Sequence, residues 1–208
     1  PEEAPKLKPY MARAEKLASL IGQLAHDNLT NIAIEVEGAA AELNIKPITG
    51  AVLAGLMRRY TDTVNMVNAP YLAKERGIDV REVRHDREGD YHTLVRVTVE
   101  TSRGARSVAG TLFGNASPRL VELFGIKVEA DLDGPMLYIN NEDAPGFIGS
   151  VGSILGAAKI NIGTFHLGRR EAGGDAILLL SVDEEVPQTL MQQIEALPNV
   201  RLVRPLKS

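Results

Sequence analysis

The stretch NNEDAPGFIGSVGSILG, residues 140–156, has the composition of a ligand-binding turn that leads into a helix. Its glycines stand at positions 146, 149, 152 and 156. A dinucleotide fingerprint requires G-x-G-x-x-G at such a turn, and a P-loop requires G-K-[ST]. The stretch contains neither a G-x-G pair nor a lysine, so its spacing excludes both nucleotide motifs.

The polar residues at the start of this stretch suit a smaller ligand. Asn140, Asn141 and Asp143 follow an apolar run, Pro145 stiffens the chain, and Gly146 begins a helix whose free N–H groups attract a carboxylate. A small zwitterion would fit here, with its carboxylate on those N–H groups and its ammonium on Asp143 or a side-chain amide. The alternative is that Asp143 only caps the helix, and the residues alone favour this cap.

The later glycines of the stretch, Gly149, Gly152 and Gly156, recur every three or four residues and therefore share one helix face. Each glycine costs the helix about 1 kcal/mol relative to alanine. We predict that close packing against a sheet, a second helix or another subunit, or access for a ligand, compensates for this cost, with packing alone favoured for Gly152 and Gly156.

The other residues that could do chemistry form no catalytic or metal motif. His26, His85, His92 and His166 do not match H-E-x-x-H, and the chain has no G-x-S-x-G elbow. Surface or hydrogen-bonded core positions are the better interpretation of all four histidines. We predict a chain with no catalytic residue, metal site or cofactor of its own.

The bulk composition narrows the class of protein. The 208 residues are enough for two small domains, each with its own core, and 44% are hydrophobic. A net charge of −4 argues against a general nucleic-acid surface. The absence of cysteine excludes disulfides and thiolate metal sites and gives no sign of an oxidising compartment. We expect a cytoplasmic protein without a nucleic-acid partner.

The first residues PEEAPKLKPY carry no basic n-region followed by an apolar core, and no apolar run approaches the roughly 20 residues of a membrane helix. We therefore expect no membrane partner. Because the chain begins with Pro1 rather than methionine, we expect it to be part of a larger protein.

The first part of the chain alternates helical and strand patterns. An amphipathic helix is predicted over 5–27, and the alternation of TNIAIEVEG predicts a half-buried strand over 30–38. A helix over 48–63 and a short helix in NAPYLAKERGID follow, the latter with Asn68 as cap and Gly77 as stop signal. Further strands are predicted in VREVRHD, YHTLVRVTVETS and ARSVAGTLFG.

The last part has a simpler order. Breaks at Asp133-Gly134 and Gly134-Pro135 place a domain boundary between 133 and 134. Beyond it the patterns read strand, helix, strand, strand, helix, strand, which is the ferredoxin-like βαββαβ arrangement with helices on one face of an antiparallel sheet. The predicted fold class is α+β, with an α/β domain over 1–133 and a βαββαβ domain over 134–208.

Two parts of the sequence carry a family resemblance over nearly the whole chain. NEDAPGFIGSVGSILGAAKINIGTFHLGR followed by GGDAILLLSVDEEVP resembles the ACT domain of D-3-phosphoglycerate dehydrogenases. PKLKPYMARAEKLASLIGQL, VNAPYLAKERGI and VAGTLFGNASPRLVELFGIKVE resemble the intervening, or allosteric substrate-binding, domain of the long forms. The most specific parts of the whole resemblance are the D-x-P-G turn, the INI strand and the NAPYLAKERGI helix.

The resemblance implies a regulatory role. In the family, ACT domains pair side by side with their sheets joined, and L-serine binds between two subunits as a feedback inhibitor. The catalytic and NAD-binding domains of the family have no counterpart here, so NAD would belong to the full-length enzyme. The implied effector contacts are the side chains of Asn141 and Asp143, the side chain of Asn161 from the facing subunit, and the backbone at Ala144, Gly146 and Ile162.

The intervening domain of some relatives is thought to hold a phosphate or the phosphorylated substrate with basic side chains. Arg119 is basic at one such position, whereas Asp131 is acidic at another. A solvated surface charge is the competing interpretation of Arg119.

Two other functions remain open at this point. The chain resembles the regulatory half of an iron–sulfur L-serine dehydratase, although the KLKPYMARAEKLASLIGQL helix favours the dehydrogenase. It would also suit a stand-alone amino-acid-sensing or oligomerisation module.

Overall fold

The computed structural model describes residues 4–25, 28–42, 44–85, 93–102, 104–111 and 119–207. Its contacts divide the chain into two compact units, Pro1–Gly125 and Ile126–Ser208. The sequence predicts units of 1–133 and 134–208, and that boundary stays a prediction. The predicted fold class, α+β with a βαββαβ second part, is confirmed.

The first unit packs helices on one face of a mixed sheet. Strands pair in the order β2-β1-β3-β4-β5, with β1 parallel to β2 and the other neighbours antiparallel. The described elements are α1 (Ala4–Leu24), β1 (Asn31–Gly38), a 3-10 helix (Ala39–Glu42), α2 (Lys46–Met57), α3 (Ala69–Glu75), β2 (Asp79–His85), β3 (Thr93–Thr101), β4 (Gly104–Thr111) and β5 (Arg119–Leu123).

The amphipathic pattern of the first helix is explained by its position. Leu17 and Ile21 on its apolar face are fully buried. The helix crosses α2 at Gly55, where an added Cβ would lie 2.6 Å from the backbone oxygen of Glu15. Only glycine allows this close approach, so α1 and α2 form one packed layer.

Two local predictions in the first unit are wrong in detail. The second helix ends at Met57 rather than near residue 63. Beyond it the backbone turns, and the hydroxyl of Thr61 accepts a hydrogen bond from the N–H of Thr63, a local bond that competes with the helix. Asn68 occupies the N-cap position of α3 without capping it, because its Oδ1 instead accepts the N–H of Asn65 at 2.7 Å.

The second unit contains a four-stranded antiparallel sheet in the order β10-β7-β9-β8. Leu137 and Ile139 of the sheet pack with Val151 and Leu155 of the first helix in the core. The described elements are β6 (Ile126–Asp131), β7 (Met136–Glu142), α4 (Phe147–Ala157), β8 (Ile162–Arg169), β9 (Asp175–Val182), α5 (Gln188–Glu195) and β10 (Val200–Leu206). The predicted strand and helix order of this unit is confirmed.

The glycines of α4 do not pack as predicted. An added Cβ at Gly149, Gly152 or Gly156 would meet no atom within 4 Å, so this face is open in the described part of the chain. The packing predicted for Gly152 and Gly156 does not occur within the described part of one chain, and packing against another subunit stays a prediction. Close packing occurs instead at Gly168 of β8, where a Cβ would lie 2.6 Å from the backbone oxygen of Lys127 on β6.

Across the described residues, no helix is both long enough and apolar enough to cross a membrane.

Candidate functional site

The turn between β7 and α4 leaves the N-terminus of α4 without a side-chain cap. Gly146 occupies the N-cap position with φ of +86°, a left-handed conformation that glycine adopts without strain. Ala144, half-buried, accepts the N–H of Phe147 through its carbonyl at 3.4 Å. The remaining free N–H groups of the first helical turn favour an anionic group at this position.

Asp143 is not the helix cap that the residues alone favour. Its Oδ2 accepts hydrogen bonds from Nη1 of Arg169 at 2.9 Å and from the backbone N–H of Gly173 at 3.1 Å. Its own N–H donates to the carbonyl of Gly174 at 2.8 Å. The Arg169 guanidinium, followed by the Gly173 N–H, lowers the pKa of the Asp143 carboxyl below its ordinary value.

The ion pair lines a depression in the surface of the second unit. The volume of this depression is about 460 Å³, and its lining residues are Asp143, Ala144, Pro145, Gly146, Ile148, Arg169 and Gly173. A carboxylate, a guanidinium and an uncapped helix N-terminus therefore meet at one shallow site. This arrangement suits a small ligand that carries both charges.

Asn141 is buried beside this turn. Only 1% of its surface is exposed, and its Nδ2 donates to the carbonyl of Glu142 at 3.1 Å. Its Oδ1 has no hydrogen-bond partner among the described residues, and a buried acceptor in that state is costly. Asn140 faces the other way and donates to Asp175 Oδ1 at 3.0 Å.

The predicted contacts do not all meet in one chain. Asn161 and Ile162 lie at the start of β8, whereas Arg169 lies at its end. Arg169 lies seven residues after Ile162 along the strand, a distance of about 23 Å. Asn161 Nδ2 donates to Asp183 Oδ2 at 3.0 Å instead. One chain thus holds two separate parts of the predicted site.

Sequence reasoning missed Arg169 and Gly173. A carboxylate in a D-x-P-G turn requires donors, but nothing in the sequence indicates that these come from a hairpin about 26 residues further on. The two consecutive arginines after the GTFHLG run were the available signal.

The other predicted residues lie outside this site. Arg119 is an exposed residue of β5, opposite Thr111 of β4. Nε2 of His85 lies 3.2 Å from Glu35 Oε1, and His166 is half-buried on β8. His26 and His92 lie outside the described residues. The described residues contain no group of three or more acidic or histidine side chains that could hold a metal ion.

Comparisons with known proteins match each unit to the domain that its sequence resembles. Residues 6–124 match the family model described as the D-3-phosphoglycerate dehydrogenase intervening domain, and residues 136–199 match the ACT domain.

Similar curated proteins bear the name D-3-phosphoglycerate dehydrogenase. Identity to the Bacillus subtilis protein is 36% over 204 residues, which cover 98% of this chain and 39% of that protein. Identity to the Synechocystis protein is 34%, and the match covers 97% of this chain and 37% of that protein. Identity to the Methanocaldococcus jannaschii protein is 33%, and the match covers 96% of this chain and 38% of that protein. The chain thus spans less than two-fifths of the length of these relatives.

Proposed function

The chain belongs to the D-3-phosphoglycerate dehydrogenase family, and from this premise we propose that it is the regulatory C-terminal part of such an enzyme. It binds L-serine, or a similar small amino acid, as feedback effector at the Asp143 turn, and it joins subunits through its ACT domain. The whole enzyme oxidises 3-phosphoglycerate with NAD in the first step of L-serine biosynthesis. This part supplies regulation and no catalytic residue.

The observation that carries the proposal is the Asp143–Arg169 pair beside the uncapped N-terminus of α4. An amino acid presents an ammonium and a carboxylate on the same carbon. The first is complementary to Asp143, and the second to the free N–H groups of α4.

Asn141 does not line the depression, but its buried Oδ1 is an acceptor that a ligand with hydrogen-bond donors would satisfy if the turn opened. This oxygen has no partner among the described residues, and it lies two residues before Asp143. An ammonium or hydroxyl group that reached it would remove the cost of the unsatisfied acceptor. L-Serine carries both groups.

The edge of the sheet supports a site completed by a second subunit. Strand β8 is an edge of the four-stranded sheet, and its Phe165 and Leu167 are 37% and 39% exposed. Antiparallel pairing of two β8 strands about their middle would place the start of one strand beside the end of the other. Asn161 of one copy would then approach Arg169 and Asp143 of its partner.

Inhibition then follows from differential affinity. Serine that bridges two copies inhibits only if it binds more tightly to the assembly state with low activity. The equilibrium between the two states cannot shift by more than the difference in the free energy of serine binding to them. A coupling of about 1 to 3 kcal/mol is typical of such systems.

Calorimetric titration of L-serine into the protein tests the proposal, with glycine and D-serine as comparison ligands. We expect one serine per subunit or per pair of subunits, and loss of that binding in Asp143→Asn. Asp175→Asn is the matched control, because Asp175 pairs with Arg201 at 3.0 Å outside the depression. No binding to the folded wild type at millimolar serine, or equal binding to Asp143→Asn, would exclude this effector site.

A further inference from the structure

Arg169 has more hydrogen-bonding capacity than its ion pair uses. Its side chain is 56% exposed, and one of its five N–H donors contacts Asp143. Of the described residues that line the depression, it alone is basic. A planar guanidinium can keep one contact to Asp143 while its other donors hold a second carboxylate.

We propose that Arg169 binds the carboxylate of the effector and thereby makes the site select α-amino acids over amines. This inference rests on the proposed function, because it concerns the same depression. It goes further by assigning the specificity to one side chain from the end of β8.

The surroundings of the pair support this role. The backbone N–H of Gly173 holds the same Oδ2 of Asp143 that Arg169 contacts, at 3.1 Å. Asp143 therefore stays in place when the guanidinium turns toward a ligand. The ligand's ammonium can approach Asp143 while its carboxylate lies between Arg169 and the first N–H groups of α4. The ammonium of the ligand then faces the Asp143 carboxylate, and its carboxylate faces the Arg169 guanidinium.

A purely structural role for Arg169 predicts something different. Exposed ion pairs contribute little to folding stability. If the pair only joined β8 to the turn, its loss would weaken the binding of every ligand at the turn to the same degree. A role in carboxylate binding affects only ligands that have a carboxylate.

Calorimetric titrations of L-serine and ethanolamine into the wild type and Arg169→Gln separate these roles. Ethanolamine has the ammonium and hydroxyl of serine without its carboxylate. We expect Arg169→Gln to weaken serine binding about tenfold to a hundredfold, as for loss of a charge-assisted hydrogen bond, and not to weaken ethanolamine binding, because Asp143 keeps its charge and loses a competing cation. Arg201→Gln, which breaks the comparable Arg201–Asp175 pair, should bind both ligands as the wild type does.

A second variant, Arg169→Lys, keeps the charge but not the planar fork, and it should bind serine with intermediate affinity. It also replaces Arg169→Gln if thermal unfolding shows that variant to be misfolded. If ethanolamine gives no measurable heat, tighter serine binding by the lysine variant than by the glutamine variant supports the inference, and equal binding overturns it.

Three results distinguish the inference from the function on which it rests. Wild-type serine affinity in Arg169→Gln overturns the inference and leaves the effector site standing. Equal loss of serine and ethanolamine assigns Arg169 a structural role and also overturns it. If the wild type binds no amino acid, the proposed function fails, and the inference fails with it.

Discussion

Arg169, the last residue of the edge strand β8, donates to Asp143 of the turn before α4 over 2.9 Å. This bond connects the edge of the sheet to the entry of the helix. It also explains why α4 begins without a side-chain cap, since the carboxylate that would have capped the helix is held by the guanidinium.

Acid should weaken the contribution of this pair to stability. The Arg169 guanidinium lowers the pKa of Asp143 in the folded protein, so the contribution is fully present above the ordinary aspartate pKa of about 3.9. It disappears as the pH falls through the lowered native pKa. We therefore expect Asp143→Asn to have a slightly lower Tm than the wild type at neutral pH, as for a partly exposed ion pair, and the difference to close in acid. A Tm difference that stays constant as the pH falls would show that the Asp143–Arg169 ion pair is not its cause.

Gly168 should not tolerate a side chain. A Cβ at this position would lie 2.6 Å from the Lys127 backbone oxygen and 2.7 Å from Val128 Cγ1. Overpacking of this kind costs about 1 to 3 kcal/mol. We expect Gly168→Ala to lower the free energy of unfolding by that amount in denaturant titrations, because β6 would have to move away from β8. An unchanged free energy of unfolding would show that β6 can move away from β8 at little cost.

Gly152 should behave in the opposite way. A Cβ there would meet no atom within 4 Å, and the residue lies inside α4. Alanine is favoured over glycine in a helix interior by about 1 kcal/mol. We expect Gly152→Ala to raise the free energy of unfolding by about that amount in the same titrations. Destabilisation, as in Gly168→Ala, would show that the face is covered in solution.

The difference between these glycines shows what the sequence could predict. The strand and helix order of the second unit follows from local patterns, because the short apolar run in AILLLSVD and the helical spacing after Pro187 are local signals. The open face of Gly152 and the close contact at Gly168 are tertiary properties, and both are glycines within regular elements. Periodicity cannot distinguish them.

The candidate site likewise combines a local sequence signal with a tertiary contact. The D-x-P-G turn predicts a carboxylate at a helix entry, and Asp143 is there. Its partner was not predictable, because an ion pair between a turn and a distant strand end leaves no local pattern. The predictions for the C-terminal end of α2 and the cap of α3 are wrong for a related reason, since Thr61 and Asn68 form hydrogen bonds with the turns rather than with the helices.

Arg96 should stabilise the sheet of the first unit. Its Nη1 lies 2.5 Å from Glu122 Oε1, and its Nε lies 3.8 Å from Glu35 Oε2. The register places the small residue Ala109 between Arg96 and Glu122, so the arginine can reach across β4. Arg96→Met would leave the two carboxylates without this cation. We expect a loss of about 1 to 3 kcal/mol in the free energy of unfolding, as for a hydrogen bond to a charged group.

Denaturant titration measures this loss, and Arg84→Met on the exposed edge strand β2 is the control. Equal stability of the two variants would contradict the role of Arg96.

The exposed edge of β8 gives the last prediction. If two copies pair through this strand, charges at Phe165 and Leu167 should prevent the pairing, because like charges at an edge strand repel a second strand. We expect the double variant Phe165→Lys, Leu167→Lys to have a smaller mass than the wild type by sedimentation equilibrium. Val67→Lys is the control, since Val67 is 89% exposed in the first unit and should not change the mass.

The same variant links assembly to effector binding. A site that needs Asn161 of the facing subunit loses affinity when the subunits separate, even though the Asp143–Arg169 pair of each chain is intact. Serine should therefore bind more weakly to the dissociated double variant. If serine binds the dissociated chain with wild-type affinity, the site is complete within one subunit. A double variant that keeps the wild-type mass, or a monomeric wild type, would show that β8 is not the edge through which the subunits pair.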